Sequence, residues 1–564
     1  MTTTIAHQKV QNTVLSEQAE VVLEHRYFLK DALGEITENS TDLFSRVAKA
    51  IAAVESMYYT LPIEAKLLES EFFDMMYKLE FLPNSPTLMN AGTEQGTLSA
   101  CFVLPLEDSM EGIMKAATDA AMVQKFGGGT GFALSKIRPR GDRIKTTHGI
   151  ACGPIEVLKT LSRVSSMITQ GGKRDGANMA VMAINHPDIL DFISCKSIEG
   201  EIHNFNIHVI EQFGEMIATN PCGEQPLLGN ESCNLGSINL AQFYKAGMDV
   251  EWEDRIDWEH LEKVTRLSTH FLDNVIDANY YATQDIEDMT KATRKIGLGV
   301  MGFADLLIQL RVPYDSLVAR EIGAKLIEKI RDWSDSESLK LGAIRGTFPA
   351  WDKSTYKITE AYRNHCRLTV APTGTISMIA DTSSGIEPTF ALAWKKQNIL
   401  EGKTLNYVNK YFKQEAKEQG FYSTQLMDYL ADGGSLKQAQ GMFNLPSWVA
   451  NVYVTAPEIS PEDHVLMQSA FQEHVDSGIS KTINFANSAT HKDVEEAYIL
   501  AWQTGCKGIT VYRAGSREKE VLVKGNLEQP MSLGTEPCCD NPYIVHEAGC
   551  EVCKTCGWSA CLVA

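Results

Sequence analysis

The run Asn220-Pro221-Cys222-Gly223-Glu224 places a thiol between an amide and a carboxylate, and Cys233 follows eleven residues after that thiol. The Pro and Gly inside the run favour a tight loop, so the three polar side chains can project from one point of the backbone. A thiol held there can serve as a nucleophile, a metal ligand or a hydrogen-atom abstractor. A cysteine-protease arrangement would need a His base, and His203 and His208 lie nearby in sequence. A cysteine simply packed inside a loop is the plain alternative. The loop alone leaves these open.

The chain that must position this loop has 564 residues, 44% hydrophobic and 22% charged, which are the proportions of an ordinary soluble globular protein. A net charge of −20 argues against non-specific nucleic-acid binding, which needs clustered Lys and Arg. The first fifteen residues are polar and mixed, without the basic start and apolar run of a secretory signal. The most apolar stretch, Ile296 to Leu310, is too short for a membrane span and contains Asp305. A cytoplasmic protein is expected, with no nucleic-acid or membrane partner. In that compartment the 13 cysteines are expected to stay reduced. Those from Cys538 to Cys561 crowd together in a way that reads as metal binding or thiol exchange.

Residues 1–80 are expected to form a helical N-terminal region, with Leu29, Leu33, Leu43, Val47, Ile51 and Val54 at helical spacing. Residues 81–520 read as an α/β unit: short apolar runs such as Cys101-Phe102-Val103-Leu104 and Leu368-Thr369-Val370 are bounded by Gly and Pro and separated by amphipathic helices. This region ends in the strand-like Gly508-Ile509-Thr510-Val511-Tyr512. Residues 521–537 read as a linker and 538–564 as a Cys-rich tail. Cys152, Cys195, Cys366 and Cys506 have no motif around them and are expected to be packed core thiols.

Several motifs occur in order with the opening loop: Phe81-Leu82-Pro83-Asn84-Ser85-Pro86-Thr87-Leu88-Met89-Asn90, Leu98-Ser99-Ala100-Cys101, Phe126-Gly127-Gly128-Gly129-Thr130-Gly131, Ser232-Cys233-Asn234-Leu235-Gly236-Ser237-Ile238-Asn239-Leu240 and Ala371-Pro372-Thr373-Gly374-Thr375-Ile376-Ser377. Together they resemble ribonucleotide reductase. The Gly-Glu-Gln-Pro-Leu after Cys222 and the Cys-rich tail resemble its adenosylcobalamin-dependent class. The resemblance implies an α/β fold with a ten-stranded barrel over 81–520. It implies reduction of ribonucleotides, most relatives of this shape using diphosphates, to supply DNA precursors. Cys222 would become the thiyl radical that takes the 3′-hydrogen, Cys101 and Cys233 the reducing pair, Glu224 the general base and Asn220 a holder of the substrate hydroxyls. Two thiols becoming a disulfide supply the two electrons that replacing a 2′-hydroxyl by hydrogen requires.

The resemblance further implies a substrate site of Ser85, Ala100, Thr373, Gly374, Thr375, Ile376 and Ser377, the last five forming a diphosphate-binding loop. Small and hydroxyl residues there let backbone N–H groups approach an anion. Asp108, Ser109, Lys145 and Arg174 match a site for a deoxynucleotide or ATP effector; Arg174 sits in the loop Gln170 to Asn178, with a solvated basic turn as the plain alternative. In the tail, Cys556 and Cys561 resemble a swinging dithiol that thioredoxin or a glutaredoxin-type partner would reduce. Cys550 and Cys553 have zinc-knuckle spacing, which Cys538 and Cys539 would complete, although the adjacent pair departs from Cys-x-x-Cys. Homodimer formation is left open.

Two departures from the family qualify these expectations. Only thirteen residues separate Asn206 from Asn220, where relatives carry several dozen more, so the barrel is expected to miss or borrow an element. About 25 residues precede the matching region, so no overall-activity module is expected. The alternatives are a reductase chain whose radical comes from a separate subunit, for which Tyr512 alone does not make a relay, and a catalytically impaired nucleotide-binding homologue.

Overall fold

The computed structural model describes residues 15–516 except 59–60, 95, 169–176, 197–201, 203–204, 211–217, 246, 248–249 and 400–402. For 205, 207–210, 395–399 and 403–407, and for 544–547, 550–553 and 559–561, it describes the backbone alone. The chain divides into one unit of residues 1–389 and 457–512 and a second of 390–456 and 513–564.

The N-terminal region is helical. Helix α1 (Glu17–Arg26) is capped by the Ser16 hydroxyl, α2 (Ser40–Ala52) by an Asn39/Asp42 capping box, and α3 (Pro62–Tyr77) opens on proline. Leu43, Val47, Ile51 and Val54 are buried as their spacing predicts. Leu33 is not: it is 87% exposed in a turn. The Asp31 carboxylate there accepts the N–H groups of Leu33 and Glu35 at 2.8 and 2.9 Å, and Lys30 bridges Ile36. Such a local side-chain bond competes with helix formation.

Among the described residues the core sheet has seven strands: β1 (Phe81–Pro83), β2 (Cys101–Leu104), β3 (Gly129–Ala133), β4 (Asn178–Ala183), β5 (Phe205–Ile210), β8 (Ser232–Asn239) and β9 (Ile296–Met301). Two short strands, β6 (Ala218–Thr219) and β7 (Pro226–Leu227), form a separate hairpin. Strands β2 to β5 run parallel, as helical crossovers such as Met110–Lys125 and Pro154–Met167 require. Strand β8 pairs antiparallel with β1 and β2 and parallel with β9.

Alternation along the strands separates two faces. Phe102, Leu104, Phe132, Ala180 and Met182 pack with Ala116, Ala120 and Val123 of the first crossover helix and Val157, Leu158 and Leu161 of the second. Cys101, Val103, Ala133, Met179, Val181, Cys233 and Leu235 face the other way and pack with Ala218 and Leu227 of the hairpin. The hairpin therefore lies against the face that carries the two cysteines.

The expected ten-stranded closed barrel is not observed: among the described residues the sheet stays open. Beyond β9 the order continues only as single bridges, Leu298 with Leu368 and Val370 with Ile479. At the first of these the segment keeps backbone bonds on both sides, from the Thr369 N–H to the Leu298 carbonyl and from the Ser477 N–H to the Leu368 carbonyl, each at 3.0 Å, and the Asp476 carboxylate accepts the N–H groups of Arg367 and Leu368 at 2.8 and 3.0 Å. The apolar stretch from Ile296 is not one element; β9 ends at Met301, Gly302 takes a φ of +76°, and a helix runs over Phe303–Leu310. Among the described residues no helix is long and apolar enough to cross a membrane.

In the second unit, backbone pairing joins 544–547 to 550–553 and 550–552 to 559–561, which sets Cys550 opposite Cys561. Cys538, Cys539 and Cys556 lie outside the described residues, as does the whole of 521–537.

Candidate active site

The sheet makes neighbours of two cysteines far apart in sequence. The antiparallel register of β2 and β8 places Cys101 directly opposite Cys233. Both are buried, at 3% and 0% exposure, and both face the hairpin.

Asn220 to Gln225 form the hairpin tip, and Asn220 closes it. Its N–H donates to the Gln225 carbonyl at 3.0 Å, its side-chain oxygen accepts the Gln225 N–H at 2.9 Å, and its carbonyl accepts the Gly223 N–H at 3.1 Å. Gly223 takes a φ of +79°, a conformation that suits glycine. The remaining Asn220 group, the amide NH2, donates to the Cys101 sulfur at 3.0 Å. One asparagine thus shapes the loop and links it to the strand cysteine.

The surrounding backbone fixes the tip on several sides. The Asn206 amide donates to the Pro221 carbonyl at 2.7 Å, while the Glu224 carbonyl accepts from the Gly478 N–H at 2.7 Å and the Thr369 hydroxyl at 2.9 Å. Glycines permit the close approach: a methyl group at Gly131 would collide with the Thr219 carbonyl, and one at Gly129 would stand 2.7 Å from Pro221 Cγ. The shortened segment before Asn220 has therefore not cost the chain its hairpin.

Glu224 is 1% exposed, and among the described residues its Oε2 has no hydrogen-bond partner. Burial pushes its carboxyl up to about 7, with hydrogen bonds from Asn220 and the backbone pulling the other way. Burial also lifts the Cys101 thiol well above its usual range, and the charges of Glu224, Cys233 and Cys222 act in the same direction. Cys233 is likewise raised by burial, although Lys295 favours its thiolate. Of the three thiols Cys222, at the tip, keeps partial exposure. The group can hold two thiols reduced, present a third to a reactant, and offer a carboxyl poised to exchange a proton near neutral pH.

The expected substrate-binding residues gather around the end of α1. The Tyr27 hydroxyl lies 2.7 Å from the Ser85 hydroxyl, and Arg26 Nη1 donates to Thr375 Oγ1 at 3.5 Å. Thr373 has a φ of +53°, and its hydroxyl accepts the Gly385 N–H at 2.8 Å; the Ser377 and Ser384 hydroxyls lie 2.8 Å apart. Ala100 is half-buried and bonds the Cys233 carbonyl at 3.2 Å. Sequence reasoning missed Arg26 and Tyr27. A basic residue in a last helical turn reads as a partner of the helix dipole, and nothing local shows which loop it meets.

The expected effector residues are less gathered. Asp108 is paired with Arg138 at 2.7 Å, the Ser109 hydroxyl caps the helix Met110–Lys125 through the Gly112 N–H at 3.0 Å, and Lys145 is exposed. Arg174 and most of its loop lie outside the described residues, as does His203. The expected zinc ligands and tail dithiol are not described at the side-chain level; among the described residues no cluster of metal-ligating side chains occurs. Of the four motif-free cysteines, Cys152 departs from its expectation, being exposed in the loop before Gly153-Pro154; Cys195 and Cys506 are half-buried and pack against apolar clusters, and Cys366 is half-buried. Glu387 pairs with the buried Lys481 at 3.0 Å.

Comparison with known proteins agrees with this geometry. The family model of the ribonucleotide reductase barrel domain matches residues 99–211, 202–362 and 357–512, its first break falling at the shortened segment. The model of the all-alpha domain matches residues 13–96. The chain is 39% identical to the vitamin B12-dependent ribonucleoside-diphosphate reductase of Thermoplasma acidophilum over 91% of its own length and 81% of that protein. It is 39% identical to the protein of the same description from Mycobacterium tuberculosis H37Rv, over 90% and 79%. In fold it resembles the class Id ribonucleotide reductase alpha subunit of Actinobacillus ureae, with a TM-score of 0.71 at 22% identity, covering 89% of this chain and 97% of that one. With both family domains matched along the chain and its paired cysteines facing a Cys-bearing hairpin, this protein belongs to the ribonucleotide reductase family.

Proposed function

We propose that this chain reduces ribonucleoside diphosphates to 2′-deoxyribonucleotides by a thiyl-radical reaction that depends on adenosylcobalamin. The observation that carries the proposal is the register pairing of Cys101 with Cys233 beneath a hairpin that brings Cys222, Asn220 and Glu224 to the same face. Two B12-dependent diphosphate reductases at 39% identity support the cofactor and the substrate class. The residues fit such a cofactor in one respect: the thiol that an external radical source must reach is the one that keeps exposure. Adenosylcobalamin, when bound, supplies the one-electron oxidising equivalent that makes a thiol a thiyl radical.

The Cys222 radical takes the ribose 3′-hydrogen. Glu224, with its free carboxyl oxygen and a pKa of about 7, accepts the 3′-hydroxyl proton. Asn220 orients the substrate hydroxyls while holding the tip in shape. The 2′-oxygen leaves as water, and Cys101 and Cys233 give up two electrons as they join in a disulfide. Cys222 then returns hydrogen to C3′. Ser85, Ala100 and the loop Thr373 to Ser377 bind the substrate, the loop taking its diphosphate, and Arg26 stands beside Thr375 to add positive charge. Asp108, Ser109, Lys145 and Arg174 form the effector site. Cys556 and Cys561 return electrons from a thioredoxin or glutaredoxin-type partner, and Cys538, Cys539, Cys550 and Cys553 hold zinc.

The test is deoxynucleotide formation by the purified single chain with a small dithiol, with and without adenosylcobalamin. Turnover only with the cofactor is expected. Turnover that needs a second, metal-containing subunit instead would overturn the cofactor assignment, and effector binding without turnover under any condition would overturn the enzymatic one.

A further inference from the structure

Cys101 and Cys233 form a symmetric pair in the reaction, but their surroundings are not symmetric. Cys101 has the Asn220 amide on its sulfur and the Glu224 carboxyl near it. Cys233 has a cation. Strands β8 and β9 run parallel with Asn234 opposite Ile296, so the same register, carried one residue back, sets Lys295 beside Cys233. The Lys295 side chain is 5% exposed and fixed from two sides: its ammonium donates to Glu231 Oε2 at 2.9 Å and to the Pro226 carbonyl at 3.1 Å. Glu231 is held in turn by the Thr293 hydroxyl at 2.6 Å and the Leu228 N–H at 2.8 Å. Pro226 belongs to the hairpin, so the ammonium joins the Cys233 strand to the loop that carries Cys222.

The charges acting on the two sulfurs differ, because a cation heads those at Cys233. Near Cys233, Lys295 favours a thiolate more strongly than Glu231, Cys366 or Glu224 opposes it. Near Cys101, the charges of Glu224, Cys233 and Cys222 all oppose one. A buried ion pair is weak evidence of a stability role, because desolvation offsets most of its attraction; its register position beside Cys233 calls for another account.

We infer that Lys295, locked by Glu231, is a positioning residue that sets the direction in which the active-site disulfide is reopened, with the incoming thiolate attacking Cys101 and Cys233 leaving as a thiolate beside the ammonium. The inference rests on the reading of Cys101 and Cys233 as the reducing pair. In the first step the Cys101–Cys233 bond breaks, a bond forms between Cys101 and the attacking sulfur, and the displaced electron pair stays on Cys233. In the second step the other thiol of the reducing dithiol displaces Cys101. The dithiol becomes the disulfide, and its protons end on the two cysteines. Exchange is faster when the leaving sulfur is the more acidic.

The full chain, oxidised by one turnover without reductant, is exposed to 2-mercaptoethanol, quenched with N-ethylmaleimide and mapped by peptide mass spectrometry. Mercaptoethanol is expected on Cys101 and maleimide on Cys233, with the opposite pattern at least about threefold rarer. In the paired substitution Lys295→Gln with Glu231→Gln, which leaves no unpaired buried charge, the preference is expected to collapse and reduction by dithiothreitol to slow by about threefold. Mercaptoethanol mainly on Cys233 in the unaltered chain, a measurement independent of any variant's folding, overturns the inference; so does an unchanged preference in the paired variant. If turnover leaves Cys101 and Cys233 as thiols, the reading of the reducing pair falls and this inference with it.

Discussion

Replacing Glu224 by Gln tests whether the buried carboxyl is the base, because the side chain keeps its shape and loses its titration. A positioned general base contributes about 10²–10⁴-fold, so kcat is expected to fall by that order. With a carboxyl pKa of about 7, the unaltered enzyme should lose about tenfold in kcat/KM for each pH unit below that value, and the variant should lack this limb. Stability gives a second readout. The folded pKa lies above the ordinary 4.5, so between the two values the native state binds more protons than the unfolded chain. The stabilisation is complete below about 4.5 and is lost as pH rises through about 7. The shift corresponds to about 3 kcal/mol in total, of which ~2–3 kcal/mol falls between pH 5 and pH 8. For a cooperative unit of several hundred residues that is about 2–3 °C in melting midpoint. The variant should therefore gain on the parent by this margin as pH is raised, when both are followed by differential scanning calorimetry. A midpoint difference independent of pH, or a variant that keeps the acid limb of the rate profile, would refute the assignment.

Cys222→Ser should abolish deoxynucleotide formation while nucleotide affinity, read by equilibrium dialysis, stays within about twofold of the parent; residual reduction would exclude the radical role. Gly131→Ala should push the Thr219 carbonyl and the hairpin away from the sheet and lower turnover by at least about tenfold, in line with the cost of misplacing reacting groups by an ångström; unaltered activity would show that the tip tolerates movement. The double substitution Cys556→Ser with Cys561→Ser should allow roughly one turnover with a thioredoxin-type reductant and sustained turnover with a small dithiol. Equal, sustained rates with both would remove the shuttle role.

What could be read from the chain and what could not divides along a physical line. The hairpin tip was legible because its residues are contiguous: Pro221 and Gly223 bend the backbone, and Asn220 closes the loop by bonding Gln225, five residues on. The helices from Ser40 to Tyr77 were legible for the same reason, as capping and periodicity are local. Leu33 misled because a helical spacing was read through Asp31, whose carboxylate claims two backbone donors that a helix would have used. Closure of the sheet was not legible locally, because it depends on pairing between segments far apart in the chain, such as Leu298 with Leu368 and Val370 with Ile479. Arg26, Tyr27 and the pair Glu231–Lys295 escaped notice because each charge or hydroxyl is unremarked in its own segment and gains a partner only through the fold.

The meeting of Cys101 with Cys233 is the extreme case. Their spacing says nothing about contact, and only the resemblance to a family joined them beforehand. The register of β2 on β8 supplies the contact, and register is strict where one face is buried, since a slip of β2 by one residue would turn the Cys101 sulfur toward the helices and bring Phe102 to the hairpin. The apolar packing of Phe102 and Leu104 on the outer face therefore does chemical as well as structural work: by fixing which side of the strand is outside, it fixes which side presents the thiols.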